Sequence, residues 1–258
     1  MGFDGSVAAR SAVDWAIREV AARGSSLRIG SCQARPCLYD GGSADLQRQR
    51  LLRLLRDLHD EHANLVVDLT TTQSDPRQAL IEEAESSDLL VLAASADQSA
   101  EAVLLSSLAR TALRRSPCPV VVVRGPRTGP VRHIVLGVDG SAAAGVAIDW
   151  ACAEANLHRA DLLVVHSRES DVSRAEAGCV LDLAVNRCRK QTSATVRSLL
   201  SERPPAAALI EAGRSADLVA VGSRGRSGFR TAVFGSVALS VAAGASCPVA
   251  VTHPTMNV

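Results

Sequence analysis

The most informative part of the sequence is the stretch Leu218-Val219-Ala220-Val221-Gly222-Ser223-Arg224-Gly225, which is followed, after nine intervening residues, by Gly235-Ser236-Val237. Its apolar beginning predicts a buried strand, and its end predicts the start of a helix. Three glycines at fixed offsets between a strand and a helix indicate a backbone that approaches something closely. The N–H groups of such a loop and the positive end of the next helix attract anions, so a phosphate is the natural ligand. A mobile surface loop would also contain glycines. The rest of the sequence has to decide between a phosphate-binding loop and a mobile loop.

That context is an internal repeat. Asp4-Gly5-Ser6 recurs 135 positions later as Asp139-Gly140-Ser141, and Cys118-Pro119-Val120 recurs 129 positions later as Cys247-Pro248-Val249. The chain is therefore a duplication in which the second copy has lost a net six residues. Two Gly-Pro pairs within residues 125–130 mark the linker. We predict two domains, residues 1–125 (the first half) and residues 131–258 (the second half).

Strand-like and helix-like segments alternate in both halves, which predicts an α/β fold built from doubly wound parallel sheets. The second half departs from the first in one place. A long helix is predicted from about Ala175 to Leu200, and a short connection containing Pro204-Pro205 then leads directly into a further helix at 206–213. This pattern predicts that the second half lacks its third strand, a loss that a sheet tolerates at its edge.

Composition limits the function classes. Aromatic residues make up 2% of the 258 residues, so alanine, valine and leucine must build the core. A net charge of +1 without a basic stripe argues against nucleic-acid binding. Seven cysteines without paired CxxC motifs fit a reduced, cytoplasmic protein. The longest apolar stretch, Ser236 to Thr252, is interrupted by Gly244 and Pro248, so no membrane span is expected.

With these motifs the chain resembles the universal stress protein family in its tandem two-domain form. The resemblance rests on Val138-Asp139-Gly140-Ser141, on Gly222, Gly225 and Gly235-Ser236, and on the Cys-Pro-Val triplets. It implies a five-stranded parallel sheet in the order 3-2-1-4-5, with the two halves meeting through their fifth strands. It also implies ATP, with or without Mg, as the ligand.

By the same resemblance, the second half carries the nucleotide site. Nucleoside contacts would come from Gly137, Asp139, Ser167, Val221 and Gly222, and phosphate contacts from Gly225, Gly235, Ser236 and Val237. Arg224 and Arg226 could either assist at the phosphates or lie in solvent. The first half has Ala93, Ala96 and Ser106 at the matching glycine positions, and acidic Asp97 and Glu101 in the loop, so it is not expected to bind ATP.

The predicted function is that of an ATP-binding regulatory protein of the stress response. No catalytic group or metal-ligand set stands out: His59 and His62 fit a solvated helix face, so the chain is expected to be no enzyme or at most a slow ATPase. A homodimer and a regulatory protein of unknown identity are conceivable partners. The alternative is a structural or interaction module of the same fold that binds no nucleotide. An enzyme of the wider adenine-binding α/β group is disfavoured because a His-x-Gly-His motif is missing.

Overall fold

Helices and strands alternate through both halves of the computed structural model, which describes residues 1–4, 6–32, 41–62, 65–72, 75–94, 105–126, 129–168, 170–225 and 235–254. The first half contains α1 (Val7–Arg23), β1 (Leu27–Cys32), α2 (Gly41–Glu61), β2 (Val67–Thr72), α3 (Pro76–Ala84), β3 (Leu90–Ala93), α4 (Ser107–Arg115) and β4 (Val120–Val123). The second half contains β5 (His133–Gly137), α5 (Ala142–His158), β6 (Asp161–Ser167), α6 (Arg174–Gln191), β7 (Val196–Ser201), α7 (Pro205–Ala212), a 3₁₀ turn (Gly213–Ser215), β8 (Leu218–Gly222), α8 (Ser236–Gly244) and β9 (Val249–Thr252).

One seven-stranded sheet joins the two halves in the order β3-β4-β9-β8-β5-β6-β7. Within the second half the order β7-β6-β5-β8-β9 is third, second, first, fourth, fifth, and all of its strand pairs are parallel. This is the order that the resemblance implies. β4 and β9 pair antiparallel, with Val121 opposite Ala250, which confirms that the halves meet through their fifth strands.

The first half is less regular around its first strand. β1 and β2 form a separate two-stranded parallel sheet. The strand expected at residues 1–3 is reduced to a single parallel bridge between Gly2 and Gly30. Two backbone hydrogen bonds hold it, from Phe3 N to Gly30 O and from Gly30 N to Met1 O.

The prediction that the second half lacks its third strand is wrong. Residues 196–201 form β7, which pairs in parallel with β6 at the sheet edge, and the preceding helix ends at Gln191 instead of Leu200. Thr192 stops the helix with an extended backbone (φ −135°, ψ 147°). Its hydroxyl donates to Asn156 Oδ1 and accepts from Ala194 N, which fixes the turn into the strand.

Small residues let the helices pack closely on both faces of the sheet. In α5, Ala147 and Ala151 are completely buried, and Trp15 of α1 is 4% exposed, as expected for a core residue. β8 is buried from Leu218 to Val221, which fits a central parallel strand covered on both faces. Among the described residues, every helix is too short or too polar to cross a lipid bilayer.

Candidate functional site

A cavity opens at the carboxyl ends of β5, β6 and β8, the position where open parallel sheets bind ligands. The structure brings all nine sequence-predicted site residues to the wall of this cavity: Gly137, Asp139, Ser167, Val221, Gly222, Gly225, Gly235, Ser236 and Val237. β5 and β8 are adjacent and parallel, which places the end of the Asp139 turn beside the glycine loop.

The turn after β5 holds Asp139 in place at the cavity. Asp139 Oδ1 accepts a hydrogen bond of 2.9 Å from Ser141 N. Gly140 has φ 80°, a left-handed conformation that favours glycine. Ser141 caps α5, because its hydroxyl oxygen accepts a hydrogen bond of 3.1 Å from Ala144 N. Asp139-Gly140-Ser141 is thus a turn and helix cap that holds a carboxylate at the wall of the cavity.

Gly222 and Gly225 are needed because other parts of the protein lie close to their backbone, and not because of an unusual backbone conformation. Neither has a positive φ, whereas Gly140 does. A Cβ at Gly222 would lie 2.7 Å from the carbonyl carbon of Ala143, so this glycine lets β8 pack against the start of α5. A Cβ at Gly225 would lie 2.9 Å from Asp139 Oδ2, so the loop backbone runs directly beside the carboxylate.

The N-terminus of α8 faces the cavity through Ser236 and Val237, and its N-cap is Gly235. Gly235 N donates to Ser223 O at 2.9 Å, and Ser223 N donates to Thr252 O at 2.8 Å, so β9 and the loop position this end of the helix. Because glycine has no side chain, no side-chain oxygen at Gly235 accepts hydrogen bonds from the first N–H groups of α8. These N–H groups carry the positive end of the helix dipole.

The first half differs at the equivalent helix. Ser106 is the N-cap of α4, and its hydroxyl oxygen accepts a hydrogen bond of 3.1 Å from Ala109 N. The helix end that Gly235 leaves open in the second half is therefore closed by a side chain in the first. Ala93 ends β3 where Gly222 ends β8. Ala96, Asp97 and Glu101 lie outside the described residues, as does Arg226.

The predicted site did not include eight further lining residues: Val138, Ala144, Val165, His166, Val172, Pro205, Leu209 and Ala238. His166 is buried, and its Nδ1 lies 2.8 Å from the Val138 carbonyl, which can only accept, so Nδ1 carries the hydrogen. Its position beside Ser167 at the end of β6 was a signal that could have been used. Leu209 approaches Gly137, where a Cβ would lie 2.9 Å from a leucine methyl group. Arg224 lines the cavity and is exposed.

The far end of α8 is held by the first half. Arg124, directly after β4, donates from Nη2 to Ala243 O at 2.6 Å. His253, directly after β9, donates from Nε2 to Leu113 O at 2.6 Å and thereby closes the C-terminal turn of α4. Each half thus caps a helix of the other. Burial lowers the pKa of His253, so its imidazole is the neutral form at pH 7.

Comparison with known proteins agrees with this architecture. The model of the universal stress protein family matches residues 1–124 and 130–253. A universal stress protein of Mycolicibacterium smegmatis is 25% identical over 285 residues, covering 98% of this chain and 96% of that protein. One from Mycobacterium tuberculosis is 33% identical over 174 residues, covering 60% and 57%. The crystal structure of a universal stress protein from Archaeoglobus fulgidus superposes with a TM-score of 0.74 at 18% identity, covering 98% of this chain and 96% of that one.

Proposed function

The chain belongs to the universal stress protein family, and from this premise we propose that its second half binds ATP and that the protein is a nucleotide-dependent regulator in the stress response. The observation that carries the proposal is the open N-terminus of α8 beside the Gly222–Gly225 loop. Backbone N–H groups and a helix dipole directed at one crevice favour a phosphate chain.

The other end of the cavity suits a nucleoside. Asp139 is a carboxylate acceptor for ribose hydroxyl groups, and Ser167 and His166 lie at the end of β6. Val165, Leu209 and Val221 provide apolar walls for a base. Arg224, at the phosphate side, can add a charge-assisted hydrogen bond. For Mg²⁺, Asp139 could supply one carboxylate next to phosphate oxygens and water, a ligand set that this ion accepts.

One nucleotide per chain is expected. In the first half, Ser106 already occupies the helix amides that a phosphate would use, and Ala93 adds a side chain where β3 ends. Titration calorimetry with ATP should therefore give a stoichiometry near one. Two equivalent sites, or no binding at all, would contradict the proposal; the second result would favour an interaction module without nucleotide.

A matched pair of variants tests the role of the helix end. Gly235→Ser introduces the self-capping residue of the first half. The backbone at Gly235 (φ −61°, ψ 128°) is open to serine, although the new Cβ would lie 3.1 Å from Ser223 O and the loop must shift slightly. A hydroxyl that competes for a phosphate contact should weaken ATP binding by roughly tenfold to a hundredfold, because such a bond contributes about 1.5–3 kcal/mol. Ser106→Gly, the reverse change in the first half, should leave affinity and stoichiometry unchanged. Equal affinities of Gly235→Ser and wild type would show that this helix end does not bind phosphate.

A further inference from the structure

Four charged side chains meet between α1 of the first half and α5 of the second. Glu19 and Arg23 lie one turn apart on α1, and Glu154 and His158 lie one turn apart on α5. The pairs correspond through the 135-residue repeat, except that arginine in the first half is replaced by histidine in the second. Glu19 is 3% exposed and Glu154 is 1% exposed. Two carboxylates at such depth need strong compensation.

Arg23 provides part of that compensation through one oxygen of each carboxylate. Its Nε donates to Glu19 Oε1 at 2.6 Å, and its Nη2 contacts Glu154 Oε1. The other two oxygens both face His158 Nε2, at 3.0 Å for Glu19 Oε2 and 3.5 Å for Glu154 Oε2. Glu154 Oε2 is fully buried and has no hydrogen-bond partner among the described residues. Glu154 Oε2 is thus a buried acceptor that points into the cluster, while the nearest donor, His158 Nε2, lies closer to Glu19 Oε2.

The three converging atoms have the spacing of a metal site. Glu19, Glu154 and His158 offer ligand atoms that all lie within 4.8 Å of one another. A tetrahedral Zn²⁺ with bonds of about 2.0–2.2 Å holds its ligand atoms about 3.4 Å apart, close to the 3.0 Å and 3.5 Å between His158 Nε2 and the two carboxylate oxygens. We propose that Glu19 Oε2, Glu154 Oε2 and His158 Nε2 bind one divalent cation of the Zn²⁺ type, which links the two halves of the chain.

The surroundings fit this assignment. Arg23 hydrogen bonds to the two Oε1 atoms and so orients both carboxylates, as residues behind metal ligands do. The side chains of Arg23 and His158 are 28% and 10% exposed, so the cluster reaches the surface, where water can complete the coordination. A cation would take the place of the hydrogen that His158 Nε2 otherwise directs at the two carboxylates.

The full chain, stripped with a chelator, tests the proposal by titration with Zn²⁺ and, separately, with Co²⁺. We expect one Zn²⁺ per chain, a Co²⁺ visible spectrum of the intense four-coordinate type, and a higher melting temperature with Zn²⁺. His158→Gln and Glu154→Gln should each lower the Zn²⁺ affinity by about a hundredfold or more, since even residues behind the ligands contribute 10–100-fold. His133→Gln is the control, because His133 Nδ1 lies 3.6 Å from Asp217 in an exposed pair and would reveal surface binding.

The wild-type Co²⁺ spectrum decides the question even if a variant fails to fold. Absence of a four-coordinate spectrum in the wild type would overturn the proposal, and the cluster would then be an ion-pair network alone. The same conclusion follows if His158→Gln, checked for native circular dichroism, binds Zn²⁺ as tightly as the wild type. Loss of binding in His133→Gln with retention in His158→Gln would assign the metal to the surface and also contradict the proposal.

Discussion

Single glycines of the site have different neighbours, and this difference predicts opposite results for identical substitutions. In Gly222→Ala the new Cβ would meet the backbone of Ala143 at 2.7 Å, which can move only if β8 and α5 separate. We expect a loss of about 1–3 kcal/mol in the free energy of unfolding. In Gly225→Ala the Cβ meets Asp139 Oδ2, a side-chain atom that can move only by disturbing the hydrogen bond from Ser141 N to Asp139 Oδ1. Stability should fall less than in Gly222→Ala, while ATP binding weakens by about tenfold, because the displaced carboxylate loses its place in the cavity.

Thermal unfolding and calorimetry on the two variants separate these effects. A destabilised Gly225→Ala together with a stable Gly222→Ala would show that the loop is packed differently from the arrangement described here. The nine residues predicted from the sequence line one cavity, and their role in nucleotide binding stays a prediction. It could not give the reason for Gly222, because the contact with Ala143 joins elements about 80 positions apart in the chain. The spacing of the glycines in the sequence indicates that glycine is needed at these positions, but it does not indicate which atom lies close to each one.

At the scale of elements, two helices end in caps from the opposite half, and the cap by His253 predicts a pH dependence. Its pKa is lowered by burial in the folded chain, so the unfolded chain binds a proton at this position at higher pH than the folded chain does. The stability of the wild type should therefore decrease as pH falls below about 6.5, the ordinary pKa of histidine. His253→Gln keeps an N–H donor for Leu113 O and does not titrate, so its acid-side loss should be smaller. Urea unfolding of both proteins between pH 5 and 8 measures the difference; parallel curves would exclude His253 as the cause.

The segment that forms β7 was predicted as helix because its local sequence gives little sign of a strand. Residues 196–201 contain adjacent leucines and follow a genuine helix without a glycine or proline, so local pattern favours continuing the helix. The strand forms because β6 offers an unpaired edge, with Leu162 paired to Val196 and Ser167 to Ser201. Leu199 is 41% exposed, so little apolar burial marked this segment in the sequence. In a duplicated fold, a strand is better predicted from its counterpart in the other copy. Counting the bridge at Gly2 as the first strand, β2 is the third strand of the first half, and β7 is the third strand of the second half.

Over the whole molecule, the two halves share a sheet and two core clusters, and we therefore expect them to unfold together. The antiparallel pairing of β4 with β9 continues the sheet across the two halves. Both core clusters contain residues from each half: Val121 shares one with Ala250, and Val122 shares the other with Val249. The caps from Arg124 and His253 and the charged cluster between α1 and α5 add polar contacts across the same boundary. We therefore expect the two halves to stay together even when the linker at 125–130 is cut.

Cutting the linker tests this integration. A protease site introduced within residues 125–130 and cleaved in the folded protein should leave two fragments that co-elute in gel filtration at micromolar concentration. Their thermal unfolding should remain a single transition, because separating the fragments would expose the edges of β4 and β9 together with fully buried valines such as Val120 and Val251. The same insertion left uncleaved is the control for any effect of the new residues. Fragments that separate, or that unfold at two distinct temperatures, would mean that the sheet junction is weaker than its geometry indicates, and each half would then have to be stable without the other.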